Sequence, residues 1–290
     1  DDRLETGRSL CFLRYAGGPG RWRKLTGAAA ATLVSARRPD LVFASRLLDA
    51  DVHALSAEAV SGWLPARPAA QALAALPPSP LVESARAALA LLSAGGVPAD
   101  ALGLTGSLRL GAHGPGSDID LVVYGEAAFE RARAAVVAAV ASPAHAIPEA
   151  HWRAAWERRG TSLDFTTWYA HERRKANRFC VAGTRVDVSC LDAEPADPGL
   201  PAGRKLRRCM LEATVCEPSR PFANPARYAI DHPEVAEIIA PTATFVGQAF
   251  PGERIAAAGW LEEEPSGRRR LVVGSSREAA GEYLRVLDPP

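Results

Sequence analysis

The chain has 290 residues, 48% of them hydrophobic, and a formal net charge of +1 at pH 7. This length allows one large domain or two modest ones, each able to bury a core. The near-neutral charge argues against a histone-like or polybasic protein, although a local basic groove stays compatible with it. The five cysteines include no C-x-x-C pair, which predicts free thiols in a cytoplasmic protein and no zinc site. No apolar run approaches the length of a membrane-spanning helix, so no membrane partner is expected.

Residues 1–78 give the weakest signals and are expected to form a small N-terminal α/β region. Apolar runs over 10–15 and 41–44 predict short strands, and the stretch 63–68 predicts a loop. A group of cations lies beside a Gly/Pro turn: Arg14, Arg21, Arg23 and Lys24. A solvated hairpin explains this group more simply than a nucleic-acid contact does.

A helix over 81–94 is predicted by apolar residues at helical spacing. Ser79 is the predicted N-cap, Pro80 the first helical position, and Gly95 the end of the helix. Residues 102–105 then predict a short apolar strand. Two later helices are predicted over 126–141 and 151–159.

The stretch 104–125, LTGSLRLGAHGPGSDIDLVVYG, carries the chemistry of the chain. If 119–124 is a strand, Asp118 and Asp120 share one face, because side chains alternate along a strand. Two neighbouring carboxylates repel each other and are costly to desolvate unless a cation lies between them. Oxygen ligands of this kind suit a hard cation, Mg²⁺ or Mn²⁺.

The residues before the acid pair predict a phosphate-binding turn. Gly106 has no side chain to block a ligand, and Ser107 offers a hydroxyl group. Residues 108–110 predict the first turn of a helix, where backbone N–H groups bind phosphate. The candidate nucleotide-binding residues are Gly106, Ser107, Arg109 and Ser117.

Gly106-Ser107, a gap of ten residues, and D-I-D-L at 118–121 resemble the signature of the DNA polymerase β-type nucleotidyltransferase superfamily. The segment is most similar to predicted archaeal and bacterial nucleotidyltransferases with extra flanking domains. The resemblance implies a catalytic domain over 79–193 with a mixed sheet and helices. It implies that the Gly-Ser turn holds a nucleoside triphosphate and that the aspartates bind two Mg²⁺ or Mn²⁺ ions. It also implies a third catalytic, metal-binding carboxylate on a later strand, and Asp187 in the alternating run RVDVSC matches that position.

The remaining sequence predicts a β-rich C-terminal region and scattered basic residues. After a Pro/Gly-rich linker over 194–203, a small antiparallel, barrel-like or sandwich domain is expected over 204–290. Its predicted strands cover 206–216, 228–230, 235–239, 244–248, 254–262 and 269–273. The candidate nucleic-acid contacts are Arg173, Arg174, Lys175, Arg178, Lys205 and Arg207. A charged helix face or exposed edge-strand arginines would explain these cations equally well.

Together these features predict an α+β enzyme with a polymerase β-like mixed sheet. The expected reaction moves a nucleoside monophosphate from an NTP or dNTP to an acceptor hydroxyl group and releases pyrophosphate. Basic runs on both sides of the acid motif favour a DNA or RNA end as the acceptor. Two alternatives stay open: transfer to a small molecule or protein, and a catalytically weak nucleotide-binding sensor.

Overall fold

The computed structural model describes residues 4–5, 7–18, 20–45, 49–114, 116–193, 202–275 and 279–288. These residues form three larger β-sheets, one two-stranded hairpin and seven α-helices. The predicted α+β class is confirmed. Among the described residues, no helix has the length and apolar character needed to cross a membrane. All five cysteines are free thiols.

The N-terminal region combines a small antiparallel sheet with two helices. Its strands are β1 (Leu4–Glu5), β2 (Arg8–Cys11), β3 (Tyr15–Ala16), β4 (Arg23–Lys24), β5 (Val42–Ser45) and β6 (Ala50–Ser56). Its helices are α1 (Gly27–Arg37) and α2 (Ala66–Ala72). The sheet has the order β1-β2-β6-β5, and β3 pairs only with β4 to form a separate hairpin in the described chain. The strand predicted over 10–15 is therefore two strands, β2 and β3.

The loop predicted over 63–68 is wrong in its second half, because α2 begins at Ala66. Pro68 lies in the first turn of α2, where backbone N–H groups have no partner within the helix. The alanines that follow it favour the helical conformation.

The central region contains the strand pair that carries the acid motif. Its strands are β7 (Leu102–Thr105), β8 (Ile119–Tyr124), β9 (Arg178–Val181) and β10 (Thr184–Leu191). Its helices are α3 (Pro80–Ala94), α4 (Gly106–Leu110), α5 (Glu126–Val140), α6 (Glu149–Arg159) and α7 (Phe165–Arg174). The sheet order is β7-β8-β10-β9, with β8 and β10 parallel and the two outer pairs antiparallel. Ser79 caps α3 as predicted, since its hydroxyl accepts a hydrogen bond from the N–H of Val82 at 3.3 Å.

Helices α3 and α5 pack on one face of the central sheet. Ile119 and Leu121 of β8 are buried in the same apolar cluster as Leu92 of α3 and Phe129 of α5. Because side chains alternate along β8, Asp120 projects from the face that these helices leave uncovered. The hydrophobic pattern of the strand thus determines where the acid motif lies.

The C-terminal region is a curled, six-stranded sheet with the order β11-β12-β13-β15-β14-β16. Its strands are β11 (Arg204–Arg220), β12 (Ala226–Asp231), β13 (Glu237–Ala240), β14 (Arg254–Glu263), β15 (Arg269–Val272) and β16 (Tyr283–Val286). The long β11 pairs with β14 through its first half and with β12 through its second half. The β-rich prediction is confirmed, but β13 and β15 pair in parallel, which differs from the expected all-antiparallel arrangement.

One predicted C-terminal strand is wrong. Ala243–Phe245 forms a short 3-10 turn in place of a strand over 244–248, because Phe245 is inserted into the apolar core of the sheet. The predicted linker over 194–203 lies almost wholly outside the described residues. The domain boundaries at 78, 193 and 204 stay predictions, although each of the three ranges contains one of the larger sheets.

Candidate active site

The register of the central sheet brings the three predicted acids together. Asp187 of β10 lies directly beside Asp120 of β8 in the parallel pair, and Asp118 precedes β8. One carboxylate oxygen from each of the three aspartates lies within 4.8 Å of the other two. We call Asp118, Asp120 and Asp187 the acid cluster. Its members are partly buried and open into a cleft.

Gly106, at the start of α4, lies against the acid cluster. Its φ angle is +71°, a left-handed conformation that favours glycine. A Cβ atom built on Gly106 would lie 2.0 Å from Oδ2 of Asp120. The glycine therefore allows the first turn of α4 and the carboxylate of Asp120 to lie in contact.

The electrostatic environment of Asp120 disfavours its charged form. Burial, together with the negative charges of Asp118 and Asp187, raises the pKa of Asp120 to about 6. The positive charges of Lys24 and Arg185 oppose this shift only in part. A cation bound among the three carboxylates would stabilise the charged form.

Two arginines stabilise the acid cluster in its present arrangement. Arg185 forms ion pairs with Asp118 and, at 3.1 Å, with Oδ2 of Asp187. Arg178 lies on the other side of Asp187, with its Nε atom 3.3 Å from Oδ1. Arg185 is a site residue that was not predicted from the sequence. It lies two residues before Asp187 on the same strand, and residues i and i+2 share a face, so its place beside Asp187 could have been predicted.

The donor set of the acid cluster fits a hard divalent cation. All its candidate ligand atoms are carboxylate oxygens, the type that Mg²⁺ and Mn²⁺ prefer. Oδ1 of Asp187 is buried and accepts no hydrogen bond from the described residues, although it forms the ion pair with Arg178. A bound cation would supply a further partner to this oxygen and would lower the raised pKa of Asp120.

The acid cluster opens into a cleft of about 550 Å³. The volume is within the range of small-molecule sites. Residues from three separate parts of the chain line the cleft: Arg14, Tyr15, Lys24, Gly106, Asp118, Asp120, Ala155, Arg158, Arg159, Trp168, Arg178, Arg185 and Asp187. Arg14 and Lys24, which the sequence pattern places in a solvated hairpin, both line this cleft.

The other predicted nucleotide-binding residues have less direct positions. Ser107 is 8% exposed, and Arg109 is half-buried on α4. The hydroxyl of Ser117 accepts a hydrogen bond from the N–H of Gly114 at 3.0 Å and so closes the loop before the acid pair. Of the four predicted residues, only Gly106 lines the cleft in the described structure. Nucleotide contacts by the other three stay predictions.

Most cations in and just after α7 form ion pairs within the protein. Lys175 and Glu172 are buried and form an ion pair at 2.5 Å, and Lys175 also donates to the carbonyl of Thr244 at 3.1 Å. The ammonium group of Lys175 is therefore enclosed within the protein, and its nucleic-acid contact stays a prediction that this burial does not favour. Arg178 forms a second ion pair with the same Glu172. Burial alone would raise the pKa of Glu172, but Arg178 and Lys175 together lower it to about 2.

The remaining candidate nucleic-acid contacts are dispersed. Arg174 is paired with Glu253 of the C-terminal region. Lys205 donates through its ammonium group to the carbonyl of Asp49 at 2.6 Å. Arg173 and Arg207 are exposed, and neither lines the cleft. Of the six predicted cations, only Arg178 reaches the cleft that contains the acid cluster.

Comparison with known proteins identifies the central region. Residues 91–177 match the model of the nucleotidyltransferase domain family. The chain contains a nucleotidyltransferase domain. This domain is of the DNA polymerase β type, so the predicted superfamily is confirmed.

The chain is also similar to an uncharacterized protein of Methanocaldococcus jannaschii. The two sequences are 33% identical over 219 residues, which is 71% of this chain and 64% of the relative. The chain therefore spans less than two thirds of the length of that relative. No solved structure matches the chain significantly.

The matched segment of the nucleotidyltransferase domain contains only part of the cleft. Asp118 and Asp120 lie inside residues 91–177, whereas Asp187 and Arg185 follow the end of that segment. The cleft residues of the β3–β4 hairpin precede it. The complete cleft thus depends on parts of the chain on both sides of the family match.

Proposed function

We propose that the protein is a metal-dependent nucleotidyltransferase. It moves a nucleoside monophosphate from a nucleoside triphosphate to an acceptor hydroxyl group and releases pyrophosphate. The observation that carries this proposal is the convergence of Asp118, Asp120 and Asp187 beside Gly106 in a nucleotidyltransferase domain. The free cysteines fit the cytoplasmic location that we propose for it.

In this reaction the acceptor oxygen forms a bond to the α-phosphorus as the bond from that phosphorus to the leaving pyrophosphate breaks. Asp118, Asp120 and Asp187 are the residues that would hold Mg²⁺ or Mn²⁺. When bound, such ions lower the pKa of the acceptor hydroxyl and neutralise the leaving pyrophosphate. Arg185 and Arg178 orient the carboxylates through their ion pairs. Gly106 leaves room for substrate next to Asp120.

The class of acceptor is a separate part of the proposal. Several of the cations that favoured a DNA or RNA end as the acceptor form ion pairs within the protein. Lys175 pairs with Glu172, and Arg174 pairs with Glu253. We therefore propose a hydroxyl acceptor without favouring nucleic acid over a small molecule or a protein. A sensor without activity is less well supported, because all three carboxylates are present and converge.

Replacement of Asp120 tests the reaction. We expect Asp120→Asn to lower pyrophosphate release at least about 100-fold, because one cation ligand and one negative charge are lost. The matched control is Asp100→Asn, which changes an exposed acid just before β7. Each purified variant is incubated with Mg²⁺ or Mn²⁺ and each labelled triphosphate. Undiminished pyrophosphate release by Asp120→Asn would reject the proposal.

The same assay identifies the acceptor. DNA, RNA, transfer RNA, and a mixture of sugars, aminoglycosides and proteins are added separately with the labelled triphosphates. Nucleic-acid products of increasing length would indicate terminal polymerisation. A single labelled small molecule or protein would indicate a modifying enzyme.

A further inference from the structure

The cations that line the cleft divide into two groups according to their partners. Arg185 and Arg178 form ion pairs with the acid cluster. Arg159 donates a hydrogen bond to the hydroxyl of Thr244 at 2.5 Å. Within the part of the chain that the structure describes, three further cleft cations have no ion pair with a carboxylate: Arg14, Lys24 and Arg158.

Two of these three cations belong to the hairpin formed by β3 and β4. Tyr15 pairs with Lys24, and Ala16 pairs with Arg23. Cross-strand partners project from the same face. Tyr15 and Lys24 accordingly both line the cleft, whereas Arg23 is exposed and does not. Arg14 immediately precedes β3, outside the paired residues, and its side chain also lines the cleft.

A backbone hydrogen bond closes the base of the hairpin. The N–H of Leu25 donates to the carbonyl of Arg14 at 2.9 Å. Leu25 is 5% exposed, so the residue after Lys24 is buried. Arg14 is therefore held beside the strand that carries Lys24, and both side chains line the cleft.

The positively charged side chains of Arg14 and Lys24 lie in the same cleft as the negatively charged acid cluster. Lys24 attracts the carboxylate of Asp120 across the cleft, and Tyr15 is close enough to Asp118 and Asp120 to be affected by both. Arg14 is half-buried, and a half-buried guanidinium without a carboxylate partner is costly unless an anion binds to it. The hairpin thus presents positive charge to the same cleft that contains the acid cluster.

We propose that the β3–β4 hairpin is part of the nucleotide site and that Arg14 and Lys24 bind the triphosphate. This inference rests on the proposed function. Their side chains contact phosphate oxygens through charge-assisted hydrogen bonds, while the acid cluster holds the cations that neutralise the same group. The hairpin precedes the segment matched by the family, so the N-terminal region supplies substrate-binding residues to the nucleotidyltransferase domain.

Inorganic triphosphate with Mg²⁺ is the probe that tests this proposal, because it contains the phosphates without a base or sugar. Binding is measured by calorimetry for wild type, Arg14→Gln, Lys24→Gln and the matched control Arg23→Gln. Arg23 and Lys24 are neighbours on β4, and each variant removes one positive charge. We expect Arg14→Gln and Lys24→Gln each to weaken binding about tenfold, and Arg23→Gln to change it less than about twofold.

Three results would overturn the hairpin proposal. The first is an unchanged affinity of Arg14→Gln and Lys24→Gln for triphosphate. The second is equal weakening by Arg23→Gln, since that reports only the overall charge of the hairpin. The third is unchanged triphosphate affinity together with weaker binding of a single-stranded oligonucleotide, which would make the hairpin an acceptor contact.

Pyrophosphate release separates these failures from a failure of the proposed function. If wild type releases pyrophosphate and Asp120→Asn does not, the nucleotidyltransferase proposal stands whatever the hairpin variants show. Circular dichroism of each variant verifies that the hairpin substitutions leave the fold intact. A temperature melt that matches wild type is expected, because Lys24 and Arg23 are exposed.

Discussion

The carboxylate of Asp120 occupies the space that a side chain at position 106 would need. A Cβ on Gly106 would overlap Oδ2 of Asp120, whereas a Cβ on Gly111 at the other end of α4 meets no atom within 4 Å. Both glycines have left-handed φ angles, +71° and +67°. The two positions therefore share a positive φ angle and differ in their contact with the acid cluster.

This difference makes Gly106→Ala and Gly111→Ala a matched pair. We expect both to lower the free energy of unfolding by about 1 kcal/mol, because alanine is strained at positive φ. Gly106→Ala should also displace Asp120 and weaken Mn²⁺ binding, measured by calorimetry, while Gly111→Ala leaves it unchanged. Equal Mn²⁺ affinity in the two variants would show that the contact does not position the carboxylate.

The raised pKa of Asp120 predicts a pH dependence of stability in the absence of metal. Unfolded aspartate ionises near its ordinary pKa of 3.8, whereas the native side chain retains its proton up to about 6. As the pH rises between these values, the unfolded state loses its proton first, so the native state becomes relatively less stable. Burial of Asp120 is the main cause of the raised pKa, the negative charges of Asp118 and Asp187 add to it, and Lys24 and Arg185 oppose it.

Asp120→Asn removes this cost. In chelator, we expect the variant to exceed wild type in stability by an amount that grows from pH 4 to pH 6 and levels off at up to about 3 kcal/mol. Urea denaturation from pH 4 to pH 8 measures the difference. Asp100→Asn, at an exposed position, serves as the control. A stability difference that is constant with pH would contradict the assigned pKa.

Among the helices, α7 depends most strongly on a buried ion pair. Glu172 is 2% exposed and pairs with both Lys175 and Arg178. Removal of one member of such a group leaves buried charge without compensation. Glu172→Gln should lower the free energy of unfolding by about 3 kcal/mol, as measured by urea denaturation.

A similar pair on α5 is the control for Glu172. Glu130 also has a cation three residues later, Arg133, but Glu130 is 59% exposed. Glu130→Gln should change stability by less than about 0.5 kcal/mol, because solvent screens an exposed pair. Comparable losses in the two variants would mean that burial does not determine the strength of the α7 pair.

The elements that the sequence predicted well are those determined by local signals. Strand β7 and helix α3 follow from apolar spacing, a capping serine and terminal glycines. The pair of Asp118 and Asp120 was predictable because side chains alternate along a strand, whereas Asp187 was predicted from the resemblance to the polymerase β-type superfamily, since its place beside Asp120 depends on the pairing of β8 with β10. The burial of Lys175 was not predictable, since it depends on Glu172 and on the carbonyl of Thr244 far along the chain.

For the whole molecule, the sequence predicted the acid cluster better than the other residues that line the cleft. The family match begins at residue 91, yet the β3–β4 hairpin contributes Arg14, Tyr15 and Lys24. A short polar hairpin has the same local pattern whether it faces solvent or a ligand. Its placement is a property of tertiary packing, which no local pattern in residues 1–78 reports.

The buried contacts around α7 have a consequence for the C-terminal sheet. A continuous series of polar contacts runs from the carbonyl of Thr244 through Lys175, Glu172 and Arg178 to Asp187. A displacement of the Thr244 peptide group would therefore affect the Asp187 carboxylate through these contacts, although the two groups do not contact each other. The C-terminal sheet is therefore linked to the acid cluster through buried charged groups, so a partner bound beside Thr244 would change the electrostatic environment of Asp187.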